Sequence, residues 1–267
     1  MPLRLAALRR VLLVVTGIAL TGCHPGNEEA KRLRSACEGG DAKACNAFGH
    51  KLLKGEYVLR DQGRAATMFE RSCGDSVADG CAILGMMYED GIGVRRDSGR
   101  ATDLHRQGCE GGAMEGCTRL GALYRRGARV PRDLTRAAAL FQQACDGGHM
   151  AGCSQLGELY AAGDGVVQDP SLAAGLFRKA CDGKVLPGCV GLGRLHAAGT
   201  GVPVDLAGAS ELFKQACDGR EAAGCFHLGA MYASGQGVTQ DLDRATRLNR
   251  RACDLGYVDA CPKKKPS

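Results

Sequence analysis

The feature that most constrains this chain is a ladder of cysteines. Fourteen of the fifteen fall into seven pairs: Cys37 and Cys45, Cys73 and Cys81, Cys109 and Cys117, Cys145 and Cys153, Cys181 and Cys189, Cys217 and Cys225, and Cys253 and Cys261. The members of a pair are eight residues apart, and each pair follows the last by 36. A fixed period between about 20 and 50 residues marks a solenoid, whose units bury their apolar faces only against neighbours. Every motif in the chain is therefore first a column of the repeat.

Aligned on that period, further columns appear. Leu84, Leu120, Leu156, Leu192 and Leu228 each precede a Gly, and Phe48-Gly49 holds the same place in the first unit. Four residues after the Leu stand Tyr88, Tyr124, Tyr160, His196 and Tyr232. Second Cys, Leu and Tyr form one apolar stripe, which predicts a helix of about thirteen residues, helix A. It stops at Gly55, Gly91, Gly127, Gly163, Gly199 and Gly235, because a helix commonly ends on a left-handed residue that Gly adopts cheaply. A Val column follows, then Asp61, Asp97, Asp133, Asp169, Asp205 and Asp241, each placed to cap a helix B. Helix B carries Ala65, Ala101, Ala137, Ala173, Ala209 and Ala245, and mostly Phe further on (Phe69, Phe141, Phe177, Phe213). The expected fold is all-α: a right-handed α/α superhelical solenoid of helical hairpins with about thirteen helices. It forms a single domain over residues 27–261, with repeats starting near 37, 73, 109, 145, 181 and 217 and a truncated one at 253. A lone helix B opens the stack over residues 27 to about 39, and 262–267 is a basic tail.

Two pairings suit so strict a period, across eight residues or across twenty-eight. The second leaves Cys37 and Cys261 as orphans; the first satisfies all fourteen and predicts seven disulfides. Loop-closure entropy assigns each an upper value of about 2.6 kcal/mol. Such staples offset a thin core, for the chain has 40 Gly, 4% aromatic residues and no Trp. They also require an oxidising compartment. Metal binding fits poorly, since zinc sites draw together four ligands with cysteines two to four residues apart, and no metal or cofactor is expected.

The N-terminus agrees with that compartment. Arg4, Arg9 and Arg10 precede VLLVVTGIALTG, an apolar run too short to span a bilayer and shaped like a secretory signal. It closes on Leu20-Thr21-Gly22-Cys23, which resembles a bacterial lipobox. The expectation is a lipoprotein signal at 1–22, lipidation of Cys23, the odd fifteenth cysteine, and an anchor linker at 23–26. Several acyl chains suffice for stable anchoring. This places the protein in the bacterial cell envelope, periplasmic or facing the outer membrane, and touching the membrane through its anchor only. The formal charge of +6 comes from the three signal arginines and Lys263, Lys264 and Lys265, so the body is neutral and carries no footprint for nucleic acid.

The pattern C-x7-C-x2-LG-x2-Y-x2-G-x-GV-x2-D-x3-A-x2-L resembles the Sel-one-like repeat (SLR) family, relatives of the tetratricopeptide repeat. The paired cysteines are similar to its secreted, cysteine-rich Hcp type. Small departures are Leu52 and Tyr57 in the first unit, Arg129 in the third and His196 in the fifth. The resemblance implies an adaptor whose helices A line a concave groove for peptides or partner proteins. For the Hcp type it further implies a β-lactam or peptidoglycan-like ligand and slow β-lactam hydrolysis.

No catalytic motif supports hydrolysis. S-x-x-K, S-D-N and K-T-G are absent, Ser210 and Lys214 being one residue too far apart, and G-x-S-x-G does not occur. His50, His105, His149, His196 and His227 are scattered over five units without H-x-H or H-E-x-x-H. Glycine pairs such as Gly163 and Gly165 recur without a following Lys-Ser/Thr and are turn residues. Binding is expected at helix A positions that escape the repeat: Asn46, His50, Met86, Arg119, Arg125, Arg126, Gln155, Glu158, Arg194 and His227. Arg119, Arg125 and Arg126 make the third unit basic there, a seat for an anionic peptide or a carboxylate. A scaffold for an envelope peptide or protein is the leading expectation; a penicillin-binding hydrolase and a purely structural envelope component are the alternatives.

Overall fold

The structure is a computed structural model, and it describes residues 25–261. The described helices are α1 (Pro25–Glu38), α2 (Ala42–Lys54), α3 (Gln62–Gly74), α4 (Ala78–Asp90), α5 (Ser98–Glu110), α6 (Met114–Arg126) and α7 (Leu134–Asp146). They continue as α8 (Met150–Ala162), α9 (Pro170–Asp182), α10 (Leu186–Ala198), α11 (Leu206–Asp218), α12 (Ala222–Ser234) and α13 (Leu242–Asp254). A 3₁₀ turn at Val258–Ala260 closes the stack, and no strand occurs among the described residues. Even-numbered helices are the A helices and odd-numbered ones the B helices. Helix α1 is the lone B helix at the front and opens two residues ahead of Asn27, on Pro25, a residue pre-set for the first helical position. The lipobox, Cys23 and the tail from 262 lie outside the described residues.

Each hairpin is built from its columns. The closing glycines of α2, α4, α6, α8, α10 and α12 have φ between 64° and 78°, a left-handed conformation that costs other residues about 1 kcal/mol or more. The next column works at both ends of the loop. The Asp97 carboxylate accepts from the Gly99 and Arg100 amides at the start of α5, and the Asp97 amide donates to the Tyr88 carbonyl at the end of α4. Asp133 and Asp241 repeat this with Tyr124 and Tyr232. From α4 onward the A helices have no side-chain cap. Their starts are held instead by the bridges, all seven across eight residues with Cα–Cα separations of 4.4 to 4.8 Å.

The core is a row of buried Leu and Phe side chains: Leu84 meets Phe69, Leu120 and Leu156 meet Phe141, and Leu192 meets Phe177. The Gly after each Leu makes this possible: a Cβ on Gly121 would stand 2.7 Å from the Phe141 ring, closer than atoms can pack. Two units break the row: the Phe column holds Asn249 in α13, against Gly229, and His105 in α5, fully buried against Gly85.

Consecutive A helices touch (α4 with α6, α8 with α10, α10 with α12), so they line the inner side of the stack while B helices form the outer. The solenoid has two edges. One carries the short disulfide turns and the other the A-to-B loops. In those loops Gly93, Gly165, Gly201 and Gly237 abut the start of the preceding B helix; a Cβ on Gly165 would meet the Leu134 carbonyl carbon at 2.4 Å. Tyr57 and Arg129 hold the same left-handed place with φ of 60° and 66°. Tyr57 does so against Gly26, whose absent side chain makes room for the ring. The N-terminus of α1 therefore lies on the loop edge. No helix among the described residues is long and apolar enough to cross a membrane.

Candidate functional site

The positions two and five residues beyond the second Cys face the inner side and differ from unit to unit, and the ten candidate residues fall into two groups. Arg119, Arg125, Arg126 and Glu158 are locked into a charge network that runs across units 2 to 4. Arg119 donates through Nε to Glu115 at 2.6 Å and through NH1 to Glu89 at 3.3 Å. Glu89 also receives Arg126 at 3.5 Å and lies 3.3 Å from His105 Nε2. Arg125 hydrogen-bonds to Glu158 in the next unit. Burial raises the Glu89 pKa, but Arg119 and His105 outweigh it and hold the carboxyl below its usual value. Glu115 is driven down to about 2, chiefly by its hydrogen bond to His149 and further by Arg119. The arginines expected to seat an anion are thus already matched by carboxylates of neighbouring helices, Arg126 having the longest contact.

Outside this network the side chains are less engaged. Asn46 and Gln155 turn their side-chain oxygens into the interior without a partner. His50 rests edge-on against Phe69, and Met86 is half-buried. His227 stacks on Phe213 at 5.0 Å, and burial followed by the Arg194 charge lowers its pKa. Arg194 is exposed and, among the described residues, has no carboxylate within ion-pair distance.

Beside Arg194 the face opens. Unit 5 has Gly191 where units 3, 4 and 6 have Arg119, Gln155 and His227, and the Phe177 ring packs into the space this leaves: a Cβ on Gly191 would stand 2.6 Å from it. The result is a cavity of about 560 Å³ between α8 and α10, floored by Phe177, Leu159 and Leu195 and rimmed by Arg125, Glu158 and Arg194. Sequence reading found the rim and missed the floor: it looked for side chains that stand out, and the telling residue is one with none.

Catalytic geometry is sparse. Ser210 donates to the Ala207 carbonyl and Lys214 pairs with Glu211 at 3.8 Å, so the two do not meet. His196 lies 3.3 Å from the Pro203 carbonyl as a packing group. Among the described residues one hydroxyl–imidazole–carboxylate chain is found, with Thr118 Oγ1 2.8 Å from His149 Nδ1 and His149 Nε2 2.8 Å from Glu115. Thr118 is also 3.0 Å from the Met114 carbonyl, the ordinary back-bond of a helical Thr. Among the described residues no group of three His, Cys, Asp or Glu is placed to hold a metal ion.

A disulfide-stapled stack of helical hairpins with a variable inner face defines a repeat scaffold of the tetratricopeptide-related class. The chain belongs to the Sel1 repeat family, whose repeat matches residues 42–74, 78–112, 115–149, 151–185, 186–220 and 222–257. Among solved structures it is similar to c5321, described as a protective antigen of uropathogenic Escherichia coli strains displaying an SLR fold. Identity is 27% and the TM-score 0.72, over 86% of this chain and 50% of that one; the chain thus spans about half of c5321. A Sel1 repeat protein from Oxalobacter formigenes has 24% identity and a TM-score of 0.74, with 85% of this chain and 99% of that one covered. Helicobacter pylori cysteine rich protein B shares 29% identity over 46% of this chain and 88% of its own, with a TM-score of 0.38. No curated protein matches the chain.

Proposed function

We propose that the protein is a lipid-anchored, extracytoplasmic scaffold that binds a peptide segment of an envelope partner on its helix A face, with the cavity at Gly191 as the anchoring point. The cavity carries the reading: it pairs an apolar floor with an unpaired guanidinium, a combination suited to an apolar side chain next to an acidic group. Seven bridges suit an oxidising compartment, which supports the signal and the acylated Cys23. The test is selection from a random peptide library on the disulfide-intact protein, followed by titration against Arg194→Glu. Selected peptides are expected to lose at least about tenfold in affinity, a typical cost for a buried charged contact. Peptides that bind both proteins equally would place recognition elsewhere.

Slow β-lactam hydrolysis is the second reading, favoured by the Thr118–His149–Glu115 chain alone. It requires the Thr118 proton to point at His149 rather than at the Met114 carbonyl. Equal turnover of a chromogenic β-lactam by the parent and by Thr118→Val would remove it.

A further inference from the structure

The body of the chain is neutral overall, but folding separates its charges. In the loops and first B-helix turns of units 1 to 3, residues 55–64, 91–100 and 127–136, eight arginines stand against four carboxylates. Three of those carboxylates, Asp61, Asp97 and Asp133, are occupied as helix caps. Arg60, Arg95, Arg96, Arg129 and Arg132 are exposed, and among the described residues none has a carboxylate within ion-pair distance. The matching loops of units 4 to 6 contain one arginine, Arg244. The opposite edge is acidic: the residue after the first Cys of each pair is Glu38, Glu110, Asp146, Asp182, Asp218 or Asp254 in six of the seven units.

The loop edge also displays apolar side chains in water. Leu59, at the tip of the first loop, is 91% exposed, and Val167 and Val204 on later loops are 88% and 62% exposed. Helix α1 begins on this edge beside Tyr57. Cys23 lies two residues before Pro25, which is at most about 7 Å of chain.

We infer that the loop edge of units 1 to 3 is a lipid-facing surface that docks on an anionic phospholipid headgroup layer beside the acylated Cys23. The placement rests on the anchored reading above; the chemistry rests on the arginines. Planar guanidinium groups pair with phosphate in a fixed fork, and one basic side chain near an anionic surface favours binding roughly fivefold at moderate salt. Leu59 enters the interfacial region between them. A tether and a basic patch on the same edge act as two linked binding signals. The solenoid then stands on its loop edge, with its acidic edge away from the membrane and its helix A face open to the side.

The test uses the full-length chain carrying Cys23→Ser, sedimented with vesicles of phosphatidylcholine alone or with about one-third phosphatidylglycerol. It is repeated with Arg95, Arg96, Arg129 and Arg132 all changed to Gln, and with a control changing Arg178, Arg220, Arg250 and Arg251 to Gln. The signal arginines are common to all three proteins and cancel in the comparison. The expected result is salt-sensitive binding to the anionic vesicles only, at least about tenfold weaker in the loop variant and less affected in the control. Equal weakening in both variants would show a response to net charge and overturn the surface, as would equal binding to both vesicle types. The anchor is read separately, from the mass of the N-terminal peptide of the mature protein. An unacylated terminus would remove the tether while leaving the arginine result standing.

Discussion

His105 is the clearest place to test whether the repeat logic governs stability. Replacing it with Phe restores the column occupied by Phe69, Phe141, Phe177 and Phe213. The space is already that of a ring, since His105 approaches the Cβ position of Gly85 to 2.7 Å, as Phe141 does that of Gly121. The His105 side chain is wholly buried and its Nδ1 has no hydrogen-bond partner, a deficiency that costs about 1–3 kcal/mol. Its one polar contact, to Glu89 at 3.3 Å, is long and returns about 1 kcal/mol. Phe therefore stabilises by up to about 2 kcal/mol at pH 7. Burial holds the His105 pKa below its ordinary 6.5, more than offsetting the pull of Glu89. In that direction the unfolded chain binds the proton first, so the parent is favoured above pH 6.5 and loses stability as pH falls below it. The variant has no such group, and its advantage grows by up to about 2 kcal/mol between pH 6.5 and 5. Urea unfolding with the disulfides intact, at pH 7 and pH 5, measures both quantities. A variant weaker than the parent at pH 7, or a gap that does not widen on acidification, would refute the account of His105 as a buried, neutral, under-satisfied group.

Two further outcomes follow from the same structure. Glu115, with its pKa lowered from 4.5 to about 2, stabilises the fold above pH 4.5 and loses that contribution as pH falls toward 2. Its side chain is 43% exposed, so solvent screening reduces the effect to about 1 kcal/mol, and Glu115→Gln should flatten acid unfolding by that amount. Opening one staple by Cys145→Ala with Cys153→Ala should cost up to about 2.6 kcal/mol, read as faster amide exchange in α7 and α8 with α2 and α3 unchanged, because coupling in a solenoid runs between neighbours. Loss of protection along the whole stack would argue for one cooperative unit instead.

What could be read from the sequence, and what could not, divides along the same physical line. A residue whose job is local is forced by its own unit and recurs: Gly91 ends a helix, Asp97 starts the next, and Cys109 closes on Cys117 eight residues on. Such columns gave up the thirteen helices, their ends and their bridges. The inner face is different because its contacts cross units, as from Glu89 to Arg119 or from Arg125 to Glu158. Each such pair occurs once, so no period announces it, and three arginines in one unit read as a basic patch until the fold set carboxylates beside them. His105 and Gly191 show the reverse case. Both were visible as exceptions in their columns, one a polar residue where Phe recurs and the other an empty place among long side chains. Their meaning depended on which neighbour each exception met: for His105, a carboxylate at the rim of the core, and for Gly191, a ring that fills the space its missing side chain leaves. In a repeat protein the columns therefore specify the scaffold. Departures from them point to the chemistry only once the stacking has decided which departures touch.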